Sequence, residues 1–265
     1  MRRIVVIATA LAVLVVAVSA AYAATGGLNT YTAKIQFSPN KAGSKKAPAA
    51  TAFTEKYVAT GTNGNRTAPL TDVKTTLYGV VASGKGFPSC SFATISNAHS
   101  DAGCPKGAMV ATGSITAILG PIADPSTSDP NQIPCNPLLH VWNGGGNKLV
   151  FFFVDQAPDH ACGPILTGTV GPFVGTVKQV GKNLVQDTPI PASVSFPLSG
   201  VEGSLTSETL HWLKVTHKVK GKTVAYNTSV GCKKGKRPYS VTFSAQSAPG
   251  APSESQTVTG TQKCS

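Results

Sequence analysis

No stretch of ten residues carries a convincing helical periodicity, which excludes a parallel sheet built on helical crossovers. Charged residues make up only 13% of the chain, and acids are the scarcer sign: 11 Asp and Glu against 23 Lys and Arg. There is no C-x-x-C pair to suggest a zinc site. Neither a G-x-S-x-G elbow nor an H-E-x-x-H occurs, so the hydrolase classes marked by those two motifs are excluded. Gly79 to Lys85 matches only the start of a phosphate-binding loop. Gly86 stands where Ser or Thr is required, and Phe87-Pro88 follows where a helix should open. No cofactor motif is present.

Long hydrophobic runs are confined to the start. Arg2 and Arg3 precede an apolar stretch from Ile4 to Val18, and Ala21-Tyr22-Ala23 has the small-x-small form of a signal-peptidase site. Residues 1–23 therefore read as a signal peptide, and residues 24–265 as an exported region with no transmembrane segment. Without Arg2 and Arg3 the basic excess is 21 against 11, a net charge of about +10.

What is abundant is glycine (27), proline (19) and six cysteines. An even cysteine count in an exported chain argues for three disulfides. Six cysteines allow 15 pairings, and the sequential one is expected: Cys90–Cys104, Cys135–Cys162 and Cys232–Cys264. The segment from Cys135 to Cys162 carries two runs of β-formers, Leu138–Trp142 and Lys148–Asp155, separated by Gly144, Gly145 and Gly146. This is the pattern of a hairpin with a glycine turn.

Further strands are expected at Thr30–Phe37, Val73–Val81, Met109–Leu119, Ile165–Val170, Val174–Val180 and Val194–Leu198. Leu205–Val219, Thr223–Val230, Tyr239–Ala245 and Thr257–Thr261 complete the set. Strands joined by loops predict an all-β fold, an antiparallel β-sandwich. If a second subdomain exists, it begins between Pro197 and Gly203.

Three short elements resemble a set of uncharacterised exported actinobacterial proteins. They are Phe87-Pro88-Ser89-Cys90, the run from Cys104 through Pro105, Lys106 and Gly107 to Gly113, and Val141-Trp142-Asn143-Gly144. Ala108, Ala111 and Trp142 replace the usual Ser, Gly and Tyr of those motifs. The resemblance covers roughly residues 30–180. It implies an exported β protein and carries over no catalytic or binding residue.

The strongest functional signal is a basic segment. Lys214, Lys218, Lys220, Lys222, Lys233, Lys234, Lys236 and Arg237 follow one another with no acid between them. Lys214, Lys218, Lys220 and Lys222 share a parity and would project from one face of a continuous strand. Such a patch attracts polyanions in a salt-dependent way: wall polymers, anionic lipid head groups or released nucleic acid, the last without sequence specificity. The bland alternative is a solvated face whose lysines blunt edge pairing. The expected function is therefore a non-catalytic exported protein that associates with anionic polymers of the cell wall or membrane surface.

Two other classes stand beside it. An exported hydrolase would draw on the loop residues Asp155, Asp159 and His160. A carbohydrate-binding module would use Trp142 or Trp212 as a platform. Asp124 and Asp129, with Ser126 and Ser128, offer oxygens to Ca²⁺ without matching an EF-hand spacing. His211 and His217, six residues apart, would lie roughly 20 Å apart on one strand and could not share a metal.

Overall fold

The computed structural model describes residues 27–155, 162, 165 and 170–265. Residues 1–23, together with Asp159 and His160, lie outside them. The strands run β1 (Asn29–Ser38), β2 (Ala49–Ala50), β3 (Ala52–Gly61), β4 (Leu70–Tyr78), β5 (Val80–Ala82), β6 (Met109–Pro121), β7 (Ile133–Cys135), β8 (Leu138–Gly145) and β9 (Lys148–Val154). They continue β10 (Phe173–Val180), β11 (Asn183–Pro189), β12 (Val201–Trp212), β13 (Thr216–Val219), β14 (Lys222–Ala225), β15 (Asn227–Ser229), β16 (Lys236–Ala245) and β17 (Glu254–Lys263). Among the described residues the short helices α1 (Phe92–Ala98) and α2 (Ala192–Ser195) interrupt them.

The all-β antiparallel class is as expected. Twelve strands form one sheet in the order β1-β3-β12-β6-β8-β9-β10-β11-β4-β16-β17, with β7 beside β6. Its apolar residues alternate inward because a pleated strand sends successive side chains to opposite faces. In β1 the buried apolar set is Tyr31, Ala33, Ile35 and Phe37, on the same face as buried Asn29. The sheet folds over so that its two halves pack face to face. Tyr31 stacks on Phe243 with centroids 4.4 Å apart, and Phe243 meets Tyr57 edge-on at 5.3 Å. Tyr57 Oη lies 2.9 Å from Thr75 Oγ1, joining β3 to β4 across the interior.

The fold-over brings the two end strands together. Eleven antiparallel strands in succession leave the first and last pointing the same way, so the seam between β1 and β17 is parallel. No strand ladder joins the two among the described residues; side chains do so instead. Gln262 Oε1 accepts from Phe37 N at 2.7 Å, and its Nε2 donates to Phe37 O at 3.4 Å. Gln256 Nε2 donates to Asn29 O at 2.8 Å, and Leu28 N donates to Glu254 Oε2 at 2.9 Å. Backbone groups left open at a sheet edge are thereby satisfied by amide and carboxyl side chains.

All three disulfides form in sequential order, Cys90–Cys104, Cys135–Cys162 and Cys232–Cys264. Strand β12 starts at Val201, inside the segment Pro197–Gly203, and lies between β3 and β6 in the same sheet.

Four expectations change. Thr223–Val230 is not one strand, because the chain leaves β14 at Ala225 and enters β15 at Asn227, in a different sheet. Val73–Val81 is not one strand, because Gly79 takes φ +67° and turns the chain from β4 into β5. Val194–Leu198 is not a strand, because Pro191 opens the helical turn α2 there. Leu205–Val219 breaks after Trp212, and a separate hairpin, β13–β14, follows.

Candidate functional site

An antiparallel strand reverses the chain each time, so successive connections alternate between the two ends of the folded sheet. This alternation sorts the charges. One end receives residues 39–51, 79–108, 146–147, 181–182 and 213–235, together with the C-terminus. Those segments carry Lys41, Lys45, Lys46, Lys85, Lys106 and Lys182 as well as the lysines of the basic segment, all exposed. Lys148, Lys178 and Lys263 sit near strand termini at the same end. The other end receives residues 62–69, 122–137, 190–200 and 246–253 and the described residues 155, 162, 165 and 170–172, none of them a lysine. Its basic residue is Arg66, which is buried. Asp124, Asp129 and Asp155 lie in those segments, and Asp72, Glu202 and Glu254 begin strands beside them.

The lysine end has one acid in its connections, Asp101, and that group is engaged. Asp101 Oδ2 lies 2.6 Å from His140 Nδ1 and accepts from Trp142 Nε1 at 3.2 Å. Among the described residues the lysine found in an ion pair is Lys74, with Asp187 at 3.5 Å, on the strand bodies away from this end.

The structure rearranges the basic segment. Hairpin β13–β14 pairs Lys218 with Thr223 and Val219 with Lys222. Cross-strand partners share a face, so Lys218 and Lys222 project from opposite faces, and the common parity of Lys214 to Lys222 does not survive the turn. Lys214 lies in the link before β13. Lys233, Lys234 and Lys236 follow β15 at a second turn, where Lys233 and Lys236 exchange both backbone hydrogen bonds. In both turns a Lys-Gly pair occupies the two central positions with positive φ: 49° and 78° at Lys220-Gly221, 49° and 69° at Lys234-Gly235. Asn-Gly is the ordinary choice for such a turn, and a lysine there is uncommon. The strain places an ammonium at each tip.

Arg237 does not belong to the surface patch. It is 0% exposed, and its guanidinium lies 4.1 Å over the Phe37 ring. Nη2 donates to Ser229 Oγ, to Lys41 O at 3.4 Å and toward Cys264 Sγ at 3.3 Å. Burial lowers its pKa to about 10, so it keeps its charge at neutral pH. Its role is positional: it ties the Lys41 connection, β15 and the C-terminal cysteine together beneath the exposed lysines.

On the outer face near this end, Lys182 and Lys233 line a groove of about 560 Å³ whose walls include Thr76, Tyr78, Ser240, Thr259 and Thr261. Ammonium groups above a hydroxyl-rich wall suit an oxyanion, which accepts from both.

The other candidates fare differently. Trp142 and Trp212 are 6% and 3% exposed, so neither ring offers a face to a sugar. Asp155 is described, and its proposed partners Asp159 and His160 are not. The oxygens of the Asp124–Asp129 loop surround a guanidinium rather than a cation site. Arg66 donates to Pro121 O at 2.8 Å, Asp124 O at 2.9 Å, Ser126 O at 3.1 Å and Glu202 Oε1 at 3.2 Å, with Asp129 Oδ2 at 3.7 Å. His211 sits on β12 beside Thr54, and His217 on β13 beside Phe87.

A feature not foreseen lies inside. A cavity of about 120 Å³ opens between the inward faces, walled mainly by apolar side chains and by Glu55, Glu208, Gln186 and Thr188. On the β3–β12 pair Tyr57 stands opposite Glu208 and Glu55 opposite Leu210, so the two glutamates are diagonal neighbours on one face, ~7 Å apart. Desolvation raises the Glu55 carboxyl to about 7, with Trp212 and Tyr57 partly opposing it. Desolvation, and then the charge of Glu55, raise Glu208 to about 8. The available signal was Glu55 itself, a charged residue on the same parity as Phe53, Tyr57 and Ala59.

No family model, curated protein or solved structure matches the chain.

Proposed function

We propose that this is a non-catalytic exported protein that docks end-on against anionic cell-envelope polymers through its lysine end. The observation that supports this most is the sorting of charge: lysines gather in the connections at one end, and acids in those at the other. A polyanion approaching such a molecule is oriented before contact, because the field attracts it at one end and repels it at the other. The three disulfides are consistent with an extracellular protein. The resemblance of the Phe87–Cys90 and Cys104–Gly113 elements to exported actinobacterial proteins supports the same setting. Phosphate is the ligand chemistry in view, whether on a wall polymer or on lipid head groups.

The test uses the oxidised mature chain, with co-sedimentation on isolated cell walls and on vesicles containing phosphatidylglycerol, over a series of salt concentrations. Changing Lys220, Lys222, Lys233, Lys234 and Lys236 to Gln should weaken binding by roughly tenfold or more at low salt and flatten the dependence on log salt by about one unit per lost contact. The control is Lys34→Gln with Lys56→Gln, on the strand bodies. Walls against vesicles shows which phosphate source is bound. A salt slope equal in both variants would refute the docking end.

A further inference from the structure

We propose that the interior cavity is a binding site for a small protonated amine with an apolar body. The space, about 120 Å³, approaches the ~150 Å³ in which an engineered apolar cavity takes up benzene. It is far below the ~300–1,000 Å³ of an ordinary cofactor or drug site, so a sugar chain does not fit. Phe151, Phe173, Leu139 and Ile115 supply apolar wall, which favours an alkyl or aryl body.

The polar side of the cavity sets the head group. Glu55 is 1% exposed, and its Oε1 has no hydrogen-bond partner. Thr188, on a different strand, is 5% exposed, and its Oγ1 also has none. Buried polar atoms are nearly always paired, and two independent unpaired ones bordering the same void point to a missing partner. Above about pH 8, where both carboxyls are ionised, they accept only, and Gln186 adds an amide oxygen. The complement to such a set is a group with several donors and a positive charge, and an ammonium has three. Two carboxyls and neutral oxygens fall short of the six to eight ligands that Ca²⁺ takes.

The approach agrees with the head group. Cys135, Pro137, Ile165 and Val170, which close the cavity on one side, come from connections at the acid-bearing end. A cation is drawn to that end and a polyanion to the opposite one, so the two ligands do not compete.

The test measures binding of benzylammonium and n-butylammonium to the oxidised mature chain by calorimetry. Benzyl alcohol and n-butanol serve as uncharged counterparts, and ring signals of Phe151 and Phe173 report the location. The amines should bind and shift those signals, and the alcohols should bind at least about tenfold more weakly. Glu55→Gln with Glu208→Gln keeps side-chain shape and should reduce amine affinity by more than about tenfold. Ala117→Leu, which fills the cavity and leaves both carboxyls, should abolish the Phe shifts. Equal binding of amines and alcohols, undiminished binding by the Gln variant, or no amine binding at all would each overturn the proposal.

Discussion

Replacing Arg66 by methionine should destabilise the protein by about 3–5 kcal/mol, the range for removing one partner from a buried charged network. The side chain is 0% exposed, and three backbone carbonyls and Glu202 accept from it. Methionine fills much of the volume but leaves those acceptors without donors in a site closed to water. The carbonyls cannot be deleted by a compensating substitution, so the usual escape of replacing an entire ion pair by apolar residues is closed here. Arg66→Lys should recover only part of the loss, because one ammonium cannot reproduce the fork that spans Pro121, Asp124 and Ser126. The neighbouring backbone is already fitted to the fork: a Cβ on Gly120 would lie 2.4 Å from the Arg66 guanidinium carbon. Urea unfolding of the three proteins at neutral pH is the measurement. A loss below about 1 kcal/mol in the methionine variant would show that the loop is held by other contacts.

Stability should fall as pH rises from about 5 to about 8, and most of that fall should disappear in Glu55→Gln/Glu208→Gln. Unfolded glutamates titrate near 4.3, whereas burial raises Glu55 to about 7 and Glu208 to about 8. Between those values the folded protein holds protons that the unfolded chain has released, so raising the pH favours unfolding. The stability these groups contribute is fully present below about pH 4.3. It is lost as pH rises through about 7 and then about 8. At about 1.4 kcal/mol per pKa unit the total is on the order of several kcal/mol. Glu202 and Asp72 are also raised by desolvation and add to the same slope. Tyr57 faces Glu55 and is pushed well above its ordinary value, outside this window. Thermal unfolding from pH 5 to 8 gives the comparison. An equal slope in parent and variant would place the pH dependence outside the cavity.

The apolar alternation of Tyr31, Ala33, Ile35 and Phe37 and the glycine turn at 144–146 were legible in the sequence, and the sequential disulfides match the one pairing expected among the fifteen that the sequence left open. They are local signals of period two, turn chemistry and loop closure. Strand β3 was not among the expected strands. Glu55 interrupts its inward parity, and a charge in an apolar register masks the alternation around it. The break after Trp212 was equally hidden, because Val215, His217 and Val219 continue a plausible strand pattern. What ends β12 there is tertiary: Leu213 N donates to Val110 O, and Val215 O accepts from Tyr226 N. The basic segment was visible as a run. Its true extent, with Lys41, Lys45, Lys46, Lys85, Lys106 and Lys182, depends on which loops share an end. Counting strands between loops does not group them from the expected set, which omits β3 and β11 and takes Val194–Leu198 for a strand.

The parallel seam has a consequence for how the chain is made. Its hydrogen bonds join residues 225 to 227 positions apart, almost the whole described length. Of the described strands β1 emerges first during synthesis and β17 last, so the seam edge of β1 has no partner until β17 arrives. Closure therefore comes at the end of folding, after nearly all other pairings are available. A product that stops before Glu254 keeps the Phe37 and Asn29 backbone groups open along an apolar strand, a template for joining a second copy. Strand β17 thus acts as a seal: only a product that extends through Gln262 covers the seam edge of β1.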